Sequence, residues 1–415
     1  MTQQSFSPEG PTLRRSLSLP LLVLYGLGTT IGAGIYALTG EVARNAGLFA
    51  PGAFLLASLL ATFTAFSFAE MSSRFPRSAG EAIYVMKGLR AAHLGHAVGF
   101  LVALAGCVSG ATIVHGFLGY LATFTALPDP LVIAVLVLLL GLIAVWGITE
   151  SVMLAALFTL VEIGGLLFVM VSARDSLLLL PDYPARLANE WSIATLTGIL
   201  GASLVAFYAF LGFEDMVNVA EEVKRVRRTL PLAIILTLGV TAVLYVLLAL
   251  VAILTVPVDE LGASPAPLAL VYERATGRHA GIISTIALFA MVNGALIQVI
   301  MASRVLYGLA RVGALPPWLG GINRRTRTPL RATAAVTGLM MVLALWFPLA
   351  RLAELTSTLT LVVFSLVNLA LWVLKGREPA ANGTFRVPRW IPFTGFVVST
   401  CYVVYGIVRL SGSVS

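Results

Sequence analysis

Charge is what this chain has least of. Only 11% of its 415 residues are charged, and mean hydropathy is +0.95. A soluble domain carries about 25% charged residues, so a water-facing globule of this length is excluded. Histidine and cysteine are rarer still, with four and two copies. His93 and His96 stand three apart with no carboxylate or thiol beside them, so no metal site is expected. Cys107 and Cys401 both lie in apolar runs, the setting of small hydrophobes rather than of a disulfide. The sequence has no HExxH, no GxSxG and no Walker phosphate loop. It therefore offers no zinc-protease or serine-hydrolase chemistry, no direct drive by ATP and no cofactor. No run alternates with period two, so a membrane β-barrel is not expected.

What it has instead is long apolar runs. A stretch of about 20 apolar residues spans the roughly 30 Å hydrocarbon core of a bilayer. About eleven such spans are expected, over 17–39, 47–71, 97–126, 131–148, 152–173, 195–219, 230–256, 280–310, 331–350, 354–374 and 390–411. The fold class is thus an all-α polytopic membrane protein, with the lipid bilayer as its first partner. A cytoplasmic tail over 1–16 precedes the first span. Loop 72–96 has room for a short interfacial helix. Pro181, Pro184, Pro257, Pro265 and Pro267 argue against long helices in 174–194 and 257–279.

The net charge of +8 sits in short loops, where lipid head groups explain it better than nucleic acid. Alternate loops divide the lysines and arginines 19 to 7, and the richer side holds Arg14, Arg15, Arg77, Arg324 and Arg327. The positive-inside rule then puts the N-terminus in the cytoplasm of a plasma (inner) membrane protein.

Two spans are unusual inside. Span 1 reads Gly26-Leu27-Gly28-Thr29-Thr30-Ile31-Gly32-Ala33-Gly34. Each glycine in a helix interior costs about 1 kcal/mol against alanine. Two explanations stand side by side: close helix packing at Gly28-xxx-Gly32, or a local break that bares backbone N–H and C=O groups to a polar ligand. Span 6 reads Phe207-Tyr208-Ala209-Phe210-Leu211-Gly212-Phe213-Glu214-Asp215-Met216-Val217-Asn218, and Glu221 and Glu222 follow. Acids at span depth are costly and usually functional. Hydration at a span end is the plainer account, above all for Asp215. Span 1 opens a first set of five over 17–173, and span 6 a second set over 195–374. Five is odd, so the second set is inverted. Interrupted helices at matching places in inverted halves are the best sequence pointer to a transporter site. Half-helix N-termini there hold a carboxylate and free carbonyls hold a cation or ammonium, which together fit a zwitterionic amino acid.

These residues resemble the amino acid–polyamine–organocation transporter family. Gly28 to Tyr36 is similar to its helix 1 motif, and Phe68 to Pro76 to its helix 2 ending. Phe207 to Glu222 is similar to its helix 6, Ser303 to Tyr307 with Arg311, Gly313 and Pro316 to its helix 8 ending, and Phe385 to Pro388 to the lead into helix 11. The resemblance covers about 15–410. It implies a LeuT-like five-plus-five inverted-repeat fold and alternating access, with span 390–411 as an additional helix 11. It implies a substrate between helices 1, 3, 6, 8 and 10. Its carboxylate would meet the N–H groups of Ile31, Gly32, Ala33 and Gly34. Its ammonium would meet carbonyls near Ile31, Phe207 and Phe210. Thr30, Ala209 and Gly212 would complete the site, and Phe207 would be its aromatic gate. Some proton-coupled relatives carry a lysine at the helix 5 position where this chain has Glu162. A buried acid there suits a proton carrier, and equally a sodium or basic-substrate site or a structural carboxyl. Glu214 and Asn293 are the other coupling or gating candidates; Asn293 equally suits an interhelical hydrogen bond. His115 fits a satisfied core residue, and Glu70 and Arg304 fit paired or snorkelled ones. The expected function is amino acid uptake by proton symport. Exchange or sodium coupling is the alternative, and a non-transporting sensor a distant one.

Overall fold

Apolar length and glycine placement decide where this chain is helical and where its helices stop. The computed structural model describes residues 17–76, 80–146, 152–323, 325–326, 328–379 and 381–412, with the side chains of 152–155, Asn218, Glu221 and 410–412 left aside. The tail over 1–16, with Arg14 and Arg15, and also Arg77, Arg324 and Arg327, lie outside the described residues. Sixteen α-helices follow in order: α1 (Leu19–Thr30), α2 (Ala33–Ala46), α3 (Ala50–Arg74), α4 (Gly80–Leu89), α5 (Ala92–Leu121), α6 (Asp129–Trp146), α7 (Val152–Ser172), α8 (Tyr183–Glu190), α9 (Ile193–Tyr208), α10 (Val226–Thr255), α11 (Val258–Ala263), α12 (Pro267–Thr276), α13 (Gly281–Arg311), α14 (Leu330–Trp346), α15 (Leu349–Arg377) and α16 (Trp390–Gly412). Short 3-10 helices include Arg174–Asp182 and Glu214–Glu222.

Each expected span falls on one of these elements. Spans 1 and 6 are the interrupted ones, built from α1 with α2 and from α9 with Glu214–Glu222. Among the described residues, seven helices are by themselves long and apolar enough to cross a membrane. Leu19–Thr30 and Ile193–Tyr208 fall short because each is half of a broken span. Leu330–Trp346 is apolar but one of the shorter helices. The short helix expected in loop 72–96 is α4. The prolines of 174–194 and 257–279 leave only short helices, and the chain bends by 59° after α7.

Burial sorts the spans. The most apolar stretch of α5 is 72% buried and that of α16 only 28%, so α5 is the central post and α16 a flank. On α6 the exposed residues Leu131, Val135, Leu138 and Leu142 recur at helical spacing, the stripe that lipid would cover. The packing is regular. α3 lies on α10, α5 on α13, and α6 on α14; α1 packs on α7 as α9 does on α15, and on α10 as α9 does on α3. Exchanging each span with the one five places later leaves these pairs unchanged, as an internal two-fold relation requires. The two broken spans run antiparallel. Leu17 N–H donates to the Glu222 carbonyl (3.0 Å) and Lys224 N–H to the Leu17 carbonyl (2.9 Å), which ties their ends together at one face.

That face carries a buried charge cluster. Glu70 on α3 is fully buried and accepts from Arg74 (Nη2, 2.6 Å), Lys375 of α15 (Nζ, 2.7 Å) and the Val387 N–H (2.8 Å). At the other face Arg409 of α16 reaches Glu354 of α15 (2.9 Å) and Asn45 of α2 (3.0 Å).

Candidate functional site

The four glycines of span 1 divide between the two explanations open to them. A Cβ on Gly26 would lie 2.6 Å from Thr237 Oγ1. One on Gly28 would collide with the Thr159 hydroxyl of α7, and one on Gly34 would lie 2.7 Å from the Ala209 Cα. These three are packing glycines. Gly32 meets nothing within 4 Å, and it is the one at the break.

At Ile31 and Gly32 the chain leaves α1 and starts α2. Ile31 N–H closes α1 on the Leu27 carbonyl (2.6 Å). The break withdraws from Gly28 and Thr29 the N–H partners that a continuous helix would give them at Gly32 and Ala33. α2 then begins at Gly32 with no side-chain cap, although Ala33, Gly34 and Ile35 are buried. A buried, uncapped helix N-terminus is a ready acceptor for an anion. The Thr30 carbonyl receives the Tyr245 hydroxyl of α10 (2.9 Å).

Span 6 meets this break at Gly212. Its φ is +121°, and a Cβ there would lie 2.5 Å from the Thr29 carbonyl carbon and 2.9 Å from the Thr30 nitrogen. Only glycine allows the two backbones to approach so closely. Thr29 Oγ1 donates to the Gly212 carbonyl (2.9 Å) and Gly212 N–H to Glu214 Oε2 (2.8 Å). Span 6 tightens here rather than unwinding. Ala209, Phe210 and Leu211 donate their N–H groups three residues back, to Ala206, Phe207 and Tyr208.

A cavity enclosing about 540 Å³ of non-atom space, part of it continuous with solvent, lies at this junction. Span 1 contributes Gly28, Thr29, Thr30, Gly32, Ala33 and Gly34; α5 contributes Ser109 and Ile113; span 6 contributes Tyr208, Leu211 and Asp215; α13 contributes Ala290, Gly294, Ile297 and Gln298.

The structure brings Thr30, Gly32, Ala33 and Gly34 to the cavity as the sequence suggested. Several expected positions differ. Ile31 is fully buried outside the wall and its N–H closes α1, so it offers no N–H to a ligand. Phe207 does not line the cavity but packs edge-on against Phe364 (5.9 Å). Its carbonyl accepts from Phe210, whose ring lies against Tyr245 (5.2 Å). Ala209 and Gly212 are contacts between the two breaks. Asn293 and Glu214 are not in the wall, and neither is α15. The aromatic that does face the cavity is Tyr208, held by Ser109 (Oγ to OH, 3.0 Å). The family resemblance implied its neighbour Phe207 instead, which α9 turns toward Phe364 of α15. Ser109 and Gln298 carried no signal, since each is a lone polar residue in an apolar run.

Glu162 lies behind the break. It is buried on α7, between Thr159 at Gly28 and Gly165 at the Tyr36 hydroxyl. Tyr36 donates to the Glu162 backbone carbonyl (2.9 Å). His115 Nε2 meets the Ala344 carbonyl (2.9 Å), and Arg304 is exposed. Cys107 and Cys401 are free thiols, and no group of metal-binding side chains occurs among the described residues. On α4, outside the spans, Glu81 is buried. Burial pushes its carboxyl up to about 7; a backbone hydrogen bond opposes this and the nearby charge of Asp215 adds to it.

A bilayer-length helical bundle, with two antiparallel interrupted spans meeting at one central cavity, defines the architecture of a membrane transporter. Comparison with known proteins agrees: the chain belongs to the amino acid permease family, whose model matches residues 17–413. It is 31% identical over 409 residues to the methylthioribose transporter of Bacillus subtilis, covering 92% of this chain and 86% of that one. It is 28% identical over 421 residues to that organism's branched-chain amino acid permease BcaP, covering 94% and 87%. The vacuolar cationic amino acid transporter 4 of Arabidopsis thaliana is 30% identical over 391 residues, 89% of this chain. The chain spans 65% of that plant protein's length.

Proposed function

We propose that this protein carries amino acids across the plasma membrane by alternating access, in symport with protons. One observation carries the reading. The uncapped N-terminus of α2 and the freed carbonyls of α1 face one cavity, so a carboxylate and an ammonium find opposite partners a few ångströms apart. The site reads the main chain of an amino acid without any charged side chain of its own at that point. The relatives' names differ in solute and share transport, which fits a common main-chain site with variable walls. The halves 17–173 and 195–374 move against each other about it. The 19 to 7 division of basic residues favours a cytoplasmic N-terminus.

Glu162 is the coupling group. It is an acid at membrane depth, directly behind the break, and its protonation bears on the same backbone that holds the substrate. The test is uptake of a mixed labelled amino acid pool into sodium-free proteoliposomes, with and without an inward proton gradient. Gradient-dependent uptake in the wild type that is lost in Glu162→Gln is the expected result. Uptake that survives the substitution makes Glu162 structural, and uptake only into preloaded vesicles makes the protein an exchanger.

A further inference from the structure

The cavity is electrically lopsided. The α2 N-terminus gives one part of its wall a positive character. Asp215, on span 6, is the one charged residue among those that line it. Asp215 N–H bonds the Gly212 carbonyl (3.1 Å), so its backbone lies one 3-10 turn, roughly 6 Å, along span 6 from the contact of Gly212 with span 1. Among the described residues the ion pairs engage Glu41, Glu70, Asp175, Glu260, Glu354 and Glu378; none engages Asp215. Two acids stand close to it. Glu214 is turned onto the Gly212 N–H, and Glu81 of α4 lies close enough for the charge of Asp215 to raise its pKa.

We propose that Asp215 is the specificity residue of the site, and that it selects amino acids bearing a cation at the end of the side chain, of the lysine or arginine type. The inference rests on the permease reading above and deepens it. A carboxylate at span depth without a cation is costly. A substrate ammonium or guanidinium supplies the missing charge through a charge-assisted hydrogen bond. The main-chain carboxylate then lies at α2, and a four-carbon side chain covers the turn to Asp215. A neutral side chain leaves Asp215 without a counter-charge. An acidic one meets the Asp215 carboxylate, with Glu214 and Glu81 behind it adding to the acidic surroundings. The same wall therefore attracts one class and rejects the other.

The experiment is uptake of labelled lysine, arginine, leucine and glutamate into proteoliposomes by wild type, Asp215→Asn and Asp215→Glu. Wild type is expected to prefer lysine and arginine over leucine and to exclude glutamate. Asp215→Asn lowers the lysine-to-leucine uptake ratio roughly 10- to 100-fold, the loss of a hydrogen bond to a charged group, and Asp215→Glu restores part of it. A wild type that carries leucine but not lysine overturns the inference and leaves the permease reading intact. This arm needs no variant, so it decides even if Asp215→Asn does not fold. An unchanged ratio in a folded Asp215→Asn, read from its thermal melt, also overturns it. Failure to carry any amino acid removes the permease reading together with the inference.

Discussion

Gly212 and Gly32 are both glycines at the meeting point of the broken spans, yet the structure makes opposite demands of them. Gly212→Ala places a methyl within 2.5 Å of the Thr29 carbonyl carbon and 2.9 Å of the Thr30 nitrogen. Both neighbours are backbone, so no side-chain rotation relieves the clash. The φ of +121° adds a conformation that alanine avoids, at about 1–3 kcal/mol. Overpacking against a rigid backbone adds about 1–3 kcal/mol more. The expected loss is thus about 2–6 kcal/mol, with the hydrogen bond from Thr29 to the Gly212 carbonyl strained in the same step. Gly32→Ala meets nothing within 4 Å at a φ of −98°, so its cost to folding is below about 1 kcal/mol. Its methyl instead enters the cavity wall. Thermal unfolding of the detergent-purified proteins reads the difference. Gly212→Ala melts several degrees below wild type, and Gly32→Ala melts with wild type but transports more slowly. Equal melting of the two variants would refute the division of the glycines into packing and break positions.

Two further predictions concern buried carboxylates at the face that holds Glu222. Glu70→Ala leaves Arg74 and Lys375 buried without their acid, a loss of roughly 3–5 kcal/mol; Glu70→Met combined with Lys375→Met recovers part of it in the same melting assay, and an additive double variant would count against the cluster. Glu81 is pushed from 4.5 up to about 7 by burial. A raised acid pKa favours the protonated folded form, so this stabilisation is full below about pH 4.5 and fades as pH rises to about 7. Wild type therefore loses up to about 3 kcal/mol relative to Glu81→Gln between those limits. Melting curves at pH 5 and pH 8 check it, and parallel shifts in the two proteins would contradict the buried setting of Glu81.

The span positions were legible from apolar length because the bilayer sets that length from outside. The glycine load of span 1 marked the segment but left packing and a break open, while the short helices around Pro181 and Pro265 were legible from backbone chemistry. Glu70 announced itself as a charged residue at a span end, although its partners Lys375 and Val387 lie about three hundred residues away. Phe207 and Tyr208 show where the reading slipped. Both are aromatics in the same motif, and which one meets the cavity depends on how α9 seats between α5 and α15, with Tyr208 at Ser109 and Phe207 at Phe364, which residue type does not record.

The sequence by itself determined that this is a helical membrane protein and roughly where its apolar spans run, and it marked spans 1 and 6 as unusual. Those properties follow from local composition and the thickness of a bilayer. Only the tertiary structure decided which glycines pack and which one opens, that Ile31 closes a helix rather than faces a ligand, and that Asp215 stands in the cavity wall while Glu214 turns away. Each of these depends on contacts between distant spans, and such contacts are set by how whole helices seat against one another rather than by the residues next in the chain.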